Sequence, residues 1–225
     1  MGQFLAARGC VGYIGRTMSE EALASLGLNV TIGVMGSAGG TLAKNALQKV
    51  YRLGQEIARR KCVLITGACP GLPHEAILGA KSAGGITVGI SPALNFEEHA
   101  LKYHSPFVGY DAIIYTGSGL MGREIENIRS CDLVILAGGR SGTLGEFAIA
   151  YDEAKVIGVL TGTGGIADRI QEIVSFIQKD TGAKLVYSDD PDRLLDDLMA
   201  IYKRQILPRY STIIANRNEH GKLER

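Results

Sequence analysis

From residue 30 onward, short and nearly continuous apolar runs alternate with stretches of helical periodicity. The runs occupy residues 30–36 (VTIGVMG), 62–67 (CVLITG), 85–91 (GITVGIS), 111–117 (DAIIYTG), 132–138 (DLVILAG), 155–162 (KVIGVLTG) and 184–188 (KLVYS). They lack the in–out alternation of a half-exposed strand, so each reads as a strand covered on both faces. Between them, Leu42, Ala46, Leu47, Val50, Leu53 and Ile57 recur at helical spacing, as do Ile166, Ile170, Ile173, Val174 and Ile177. Asp190 before Pro191 forms an N-cap and first-turn pair for a last helix, expected to end near Lys203 and Arg204.

Repeated strand–helix units of this kind predict an α/β, doubly wound, mostly parallel sheet of about six or seven strands with helices on both faces. Ligands of such sheets bind beyond the carboxyl ends of the strands. Those ends are rich in small residues here: Gly36-Ser37, Gly67-Ala68, Ser91-Pro92, Gly117-Ser118, Gly138-Gly139 and Thr161-Gly162. Together they predict a floor lined by backbone. The pattern divides the chain into an extension (1–29), expected to be partly disordered, one nucleotide-binding-type domain (30–207) and a polar tail (208–225).

Composition narrows the function classes. The 225-residue chain has 46% hydrophobic residues, 21% charged residues and a formal net charge of +1, which gives no electrostatic case for a nucleic-acid or anionic-membrane partner. No apolar run is long enough to span a membrane. Residues 1–17 contain Arg8 and Arg16 and no acid, a faint transit-like feature without the apolar core of a secretory signal. The four cysteines form no CxxC pair and the four histidines have no ligand spacing. The expectation is a cytoplasmic protein with reduced thiols, no metal and no required cofactor.

The most informative stretch is Leu136 to Phe147, LAGGRSGTLGEF. Gly138, Gly139, Ser141, Gly142 and Thr143 follow a strand and open a helix, where free N–H groups and the helix dipole favour an anion. The spacing is neither that of a P-loop nor GxGxxG. Glu146, one turn in, is expected to point back at the loop and to stay ionised beside the helix N-terminus. In MGREIENIRSCD, Met121, Ile125 and Ile128 predict an apolar helix stripe, and Arg123 and Asn127 share another face. Arg123 either reaches the floor to grip phosphate or carboxylate, or pairs on the surface with Glu124 or Glu126. In TGACPGLPHEA, Thr66, Gly67 and Gly71 are candidate ligand contacts before a helix starting near Pro73. Gly36 and Ser37 close the first strand in the same way. Cys69 lies in a loop, with nothing near it in sequence to activate it.

These segments together resemble the LOG-type proteins, also called lysine decarboxylase-like, of the Rossmann-like superfamily that includes DNA-processing protein A and a molybdenum-cofactor carrier. The resemblance covers roughly residues 30–202 and rests on Gly36-Ser37, LITGACPGLPHEA, Arg123 ahead of Asp132, and GGRSGTLGE ending in Glu146. It implies a homodimer or higher homo-oligomer with sites near the interface. It also implies cleavage of nucleoside 5′-monophosphates to free base and ribose 5-phosphate, with Arg123 and Glu146 essential. An AMP-like nucleotide is then the expected ligand. A carboxylate beside an oxocarbenium-like transition state makes physical sense of Glu146. The chain departs from the enzyme motifs in four ways: Gly122 precedes Arg123, Glu124 stands where they have lysine, Ala137 replaces a leading proline, and GGRSGT is one residue longer. No motif supports pyridoxal chemistry, so decarboxylation is rejected. A non-catalytic nucleotide or molybdenum-cofactor-type carrier or sensor is the alternative. A single-stranded DNA binder is the remote one, disfavoured by a net charge of +1, no Trp and 6% aromatic residues.

Overall fold

The computed structural model describes Ser19 and residues 27–216. The transit-like stretch and nearly all of the expected N-terminal extension lie outside the described residues, as does the end of the expected tail. The element order is β1 (Thr31–Gly36), α1 (Lys44–Arg59), β2 (Val63–Thr66), α2 (Leu72–Ser82), β3 (Ile86–Ser91), β4 (Ala112–Tyr115), α3 (Gly119–Arg129), β5 (Leu133–Ala137), α4 (Ser141–Asp152), β6 (Val156–Leu160), α5 (Ile170–Ile177), β7 (Lys184–Ser188), α6 (Pro191–Ile201) and α7 (Leu207–Ala215). Each of the seven apolar runs is a strand, trimmed at most by a residue or two at its ends.

The strands form one all-parallel sheet in the order β4-β3-β2-β1-β5-β6-β7. The chain winds outward from β1 through β4, then returns to lay β5 against the free side of β1. This is the α/β, Rossmann-like, doubly wound fold. Reversal of the winding at β1/β5 opens a crevice beyond the paired ends Gly36 and Ala137.

Alternate residues of the central strands serve two cores. Ile32, Val34, Leu133, Ile135 and Ala137 face one side with α1, α2 and α6, through Val50, Leu53, Ile77, Leu194 and Leu198. Met35, Val134 and Leu136 face the other, with Ile128 of α3, Phe147 and Ala150 of α4 and Ile170 of α5. All five residues of β5 are buried, which explains its unbroken apolar sequence.

Asp190 caps α6 as expected, accepting from the backbone N–H groups of Asp192 and Arg193. The helix does not end the fold near Lys203, however. A π-helical turn (Tyr202–Ile206) leads into α7, which begins at Leu207 with Pro208 in its first turn. A first-turn proline starts a helix as readily as a proline breaks one. Leu207 is buried, and the Tyr210 hydroxyl donates to Asp132 at the start of β5. The expected polar tail from 208 therefore opens as a packed helix.

Helices α1 and α2 cross at two glycines. A Cβ on Gly79 would lie 2.0 Å from the Tyr51 carbonyl oxygen, and one on Gly54 would lie 2.0 Å from that of Ala76. Alanine in a helix interior ordinarily stabilises relative to glycine by about 0.5–1 kcal/mol. At Gly79 the backbone collision reverses the sign. Gly79→Ala is expected to cost about 2–3 kcal/mol and to lower Tm by roughly 5–10 °C in a thermal melt.

Candidate functional site

The crevice at the β1/β5 reversal holds a cavity of about 270 Å³. Its walls include Gly36, Ser37, Gly67, Arg123, Ser141, Gly142, Thr143 and Glu146, all expected from sequence, together with Cys69, Glu124 and Arg140. Four further expected residues stand behind the wall. Thr66 is buried, accepts from the Ala68 N–H at 3.3 Å and lies 3.4 Å from the Tyr110 hydroxyl. Gly71 packs so tightly on the β1 loop that a Cβ would come within 2.2 Å of the Ser37 carbonyl oxygen. Gly138 donates its N–H to Thr163 Oγ1 at 2.8 Å, and Gly139 donates to Ser37 Oγ at 2.6 Å. These two glycines, at φ 62° and 99°, shape the turn and have already spent their N–H groups.

The donors left for an anion are those of α4 itself. The helix begins at Ser141, its first intrahelical bond is Leu144 N–H to the Arg140 carbonyl, and no side chain caps it. Its first turn carries no acid, and a cation, Arg140, stands at the N-cap position. Cationic charge there opposes the helix dipole, a cost that a bound anion would offset. Helix α6 of the same molecule is closed instead by the Asp190 carboxylate.

Arg123 and Glu146 come from different helices and meet across this cavity. Arg123 Nη1 lies 3.8 Å from Glu146 Oε1, and the two residues are 7% and 6% exposed. Of the two placements the sequence left open for Arg123, the structure has the buried one. Gly67 makes room for it, since a Cβ there would fall 1.7 Å from Arg123 Nη1. Among the described residues, neither Arg123 nor Glu146 has a hydrogen-bond partner, and Arg123 Nε is fully enclosed without one.

The apolar stripe of α3 is split, with Ile128 in the core and Met121 and Ile125 turned to solvent. Met121 is 79% exposed and Ile125 40%, whereas Arg123, Glu124, Asn127 and Ile128 are buried. The inward face of α3 borders a polar cavity, so the usual rule of apolar residues inward fails. Glu146 is not held ionised by the helix start. Burial pushes its pKa up to about 7, partly opposed by Arg123 and reinforced by Glu124. Burial also raises the Cys69 thiol to about 11, which leaves it protonated and a poor nucleophile. Among the described residues, no three His, Cys, Asp or Glu side chains are grouped to hold a metal, and no helix is long and apolar enough to cross a membrane.

The SLOG cluster4 family model matches residues 29–195. The chain belongs to the SLOG cluster4 family. An uncharacterized protein of Archaeoglobus fulgidus is 34% identical over 129 residues, which span 57% of this chain and 78% of that protein. Among solved structures, the molybdenum cofactor binding protein of Rippkaea orientalis is 30% identical, with 77% of this chain and 97% of that one covered and a TM-score of 0.63. The molybdenum cofactor carrier protein of Chlamydomonas reinhardtii is 28% identical, with 76% and 99% covered and a TM-score of 0.61. DNA processing protein A of Streptococcus pneumoniae is 20% identical, with 75% and 61% covered and a TM-score of 0.54, a likeness of fold alone.

The buried carboxyl makes a pH prediction. Glu146 titrates higher in the folded chain than in the unfolded one, so its stabilising contribution is full below the ordinary carboxylate range. That contribution is lost as pH rises through about 7. Between pH 5 and pH 8, wild type should lose on the order of 3 kcal/mol more stability than Glu146→Gln in urea denaturation. Parallel pH profiles for the two proteins would show that Glu146 does not titrate this way.

Proposed function

We propose that the cavity binds a nucleoside 5′-monophosphate and cleaves its N-glycosidic bond, giving free base and ribose 5-phosphate. The observation that supports this most is the meeting of Arg123 and Glu146. Both are buried, without hydrogen-bond partners among the described residues, beside an open helix start. In this reading the 5′-phosphate takes the free N–H groups of Ser141, Gly142 and Thr143, with Arg140 adding charge. Arg123 orients the ligand. Glu146, deprotonated, accepts a proton from the attacking water and stabilises cationic charge at C1′ as the bond to the base breaks. The water oxygen ends on C1′, and the base leaves with the bonding electrons and takes up a proton.

A pKa near 7 suits a general base at neutral pH. Wild type is expected to release base from at least one member of a panel of nucleoside 5′-monophosphates, read by chromatography. The rate should rise with pH through about 7 and fall by about 10²–10⁴-fold in Glu146→Gln. The carrier reading is favoured by a specific observation, the 28–30% identity to molybdenum-cofactor proteins over three quarters of this chain. It predicts ligand-induced thermal stabilisation of both proteins with no base released.

The outward face of α3 supports a homodimer. Leu120 and Met121 lie exposed on that helix, as does Ile114 on the edge strand β4 and Phe96 and Phe107 in the loop before it. Such a patch on an unpaired strand edge invites a second copy. Light scattering should give a mass about twice the 24.0 kDa of one chain.

A further inference from the structure

Glu124, which stands where the enzyme motifs have lysine, lines the cavity together with Arg140 and Ser141 of the lengthened GGRSGT loop. It is 8% exposed and lines the same wall as Arg123, one residue earlier on α3. Among the described residues it accepts no hydrogen bond and forms no ion pair. Its carboxylate lies across the first turns of α4. A Cβ on Gly142 would come within 3.3 Å of Oε1, and one on Gly145 within 3.0 Å of Oε2. Two glycines one turn apart on α4 thus leave the space this carboxylate fills. Burial raises its pKa above the ordinary range, with Arg123 opposing the shift.

An acceptor without a donor is therefore held next to the helix start that would take the phosphate. A carboxylate that close would repel phosphate unless the ligand brought donors to it. A carboxylate has the capacity to accept one hydrogen bond at each oxygen, which matches adjacent hydroxyls on one ring. A hydroxyl also accepts, so the same pair can take a donor from the Arg123 guanidinium, whose Nε is enclosed without a hydrogen-bond partner among the described residues. We infer that Glu124 reads the vicinal 2- and 3-hydroxyls of a phosphorylated pentose, which makes the cavity selective for ribose over 2-deoxyribose. This rests on the phosphate-ester reading of the site given above.

The test uses ribose 5-phosphate and 2-deoxyribose 5-phosphate, which carry no base and so are bound without turnover. Inorganic phosphate serves as a third probe, all three by calorimetric titration at pH 8. Wild type should prefer the ribose compound by about tenfold, the scale of one good hydrogen bond pair lost. Glu124→Ala should bring the ratio close to one and Glu124→Gln should fall between, while Glu126→Gln, outside the cavity on the same helix, should keep the full ratio. If Glu124→Ala does not fold, Glu124→Gln carries the comparison. Equal affinity of wild type for both sugars, with phosphate still binding, overturns the inference and leaves the phosphate-ester reading standing. A preference that survives both Glu124 substitutions overturns the assignment to this residue. Failure of all three probes to bind overturns the phosphate-ester reading, and this inference with it.

Discussion

The structure turns on three charged side chains, Arg123, Glu124 and Glu146, held out of water with no hydrogen bond to one another or to any other described residue. Burying a charge costs several kcal/mol unless it is paired and hydrogen-bonded. Arg123 and Glu146 recover part of that cost by proximity, at 3.8 Å. Glu146 recovers more by holding its proton up to about pH 7. What remains is a polar demand around a cavity of about 270 Å³, and a ligand is the natural group to meet it.

The fold places these groups and keeps them there. Reversal of winding between β1 and β5 separates the helices after the two strands and leaves the crevice. Both cores lock the strands that carry the crevice floor, since alternate residues of β1 and β5 are buried on opposite faces. Side chains then fix the floor's finer shape. Ser37 and Thr163 fasten the Gly138-Gly139 turn by its own N–H groups. That division of labour leaves the N–H groups of the α4 start free. It also explains why a turn so rich in glycine is stiff enough to aim a helix.

The architecture was legible because parallel strands buried on both faces write unbroken apolar runs into the sequence, and all seven runs are strands. The floor was legible because the strand ends carry small residues next to helix starts. The setting of α3 was not legible: of its apolar stripe Ile128 lies in the core while Met121 and Ile125 point outward, and Arg123 and Glu124 line the cavity. A periodicity rule cannot distinguish a core from a polar cavity or an oligomer face, since it records only which residues share a side. Glu124 was visible as a departure from the lysine of the enzyme motif. That it fills the space left by Gly142 and Gly145 could be seen only once α3 and α4 were packed. Likewise the ionisation of Glu146 depended on its depth, which the neighbouring helix start could not reveal. Helix α7 was not foreseen because the residues from 208 onward are polar enough to read as a tail, whereas Pro208 sits in the helix's first turn.

In the proposed site the open start of α4, and not the glycine turn before it, receives the anion. The most direct measurement is the backbone amide chemical-shift change on titrating AMP into isotope-labelled protein. The largest changes are expected at the amides of Ser141, Gly142 and Thr143. Gly138 and Gly139, whose N–H groups are already given to Thr163 and Ser37, should move little. Asp192 and Arg193 at the capped start of α6 should not move. Shifts centred on Gly138 and Gly139, or none at the start of α4 at saturating AMP, would contradict the account.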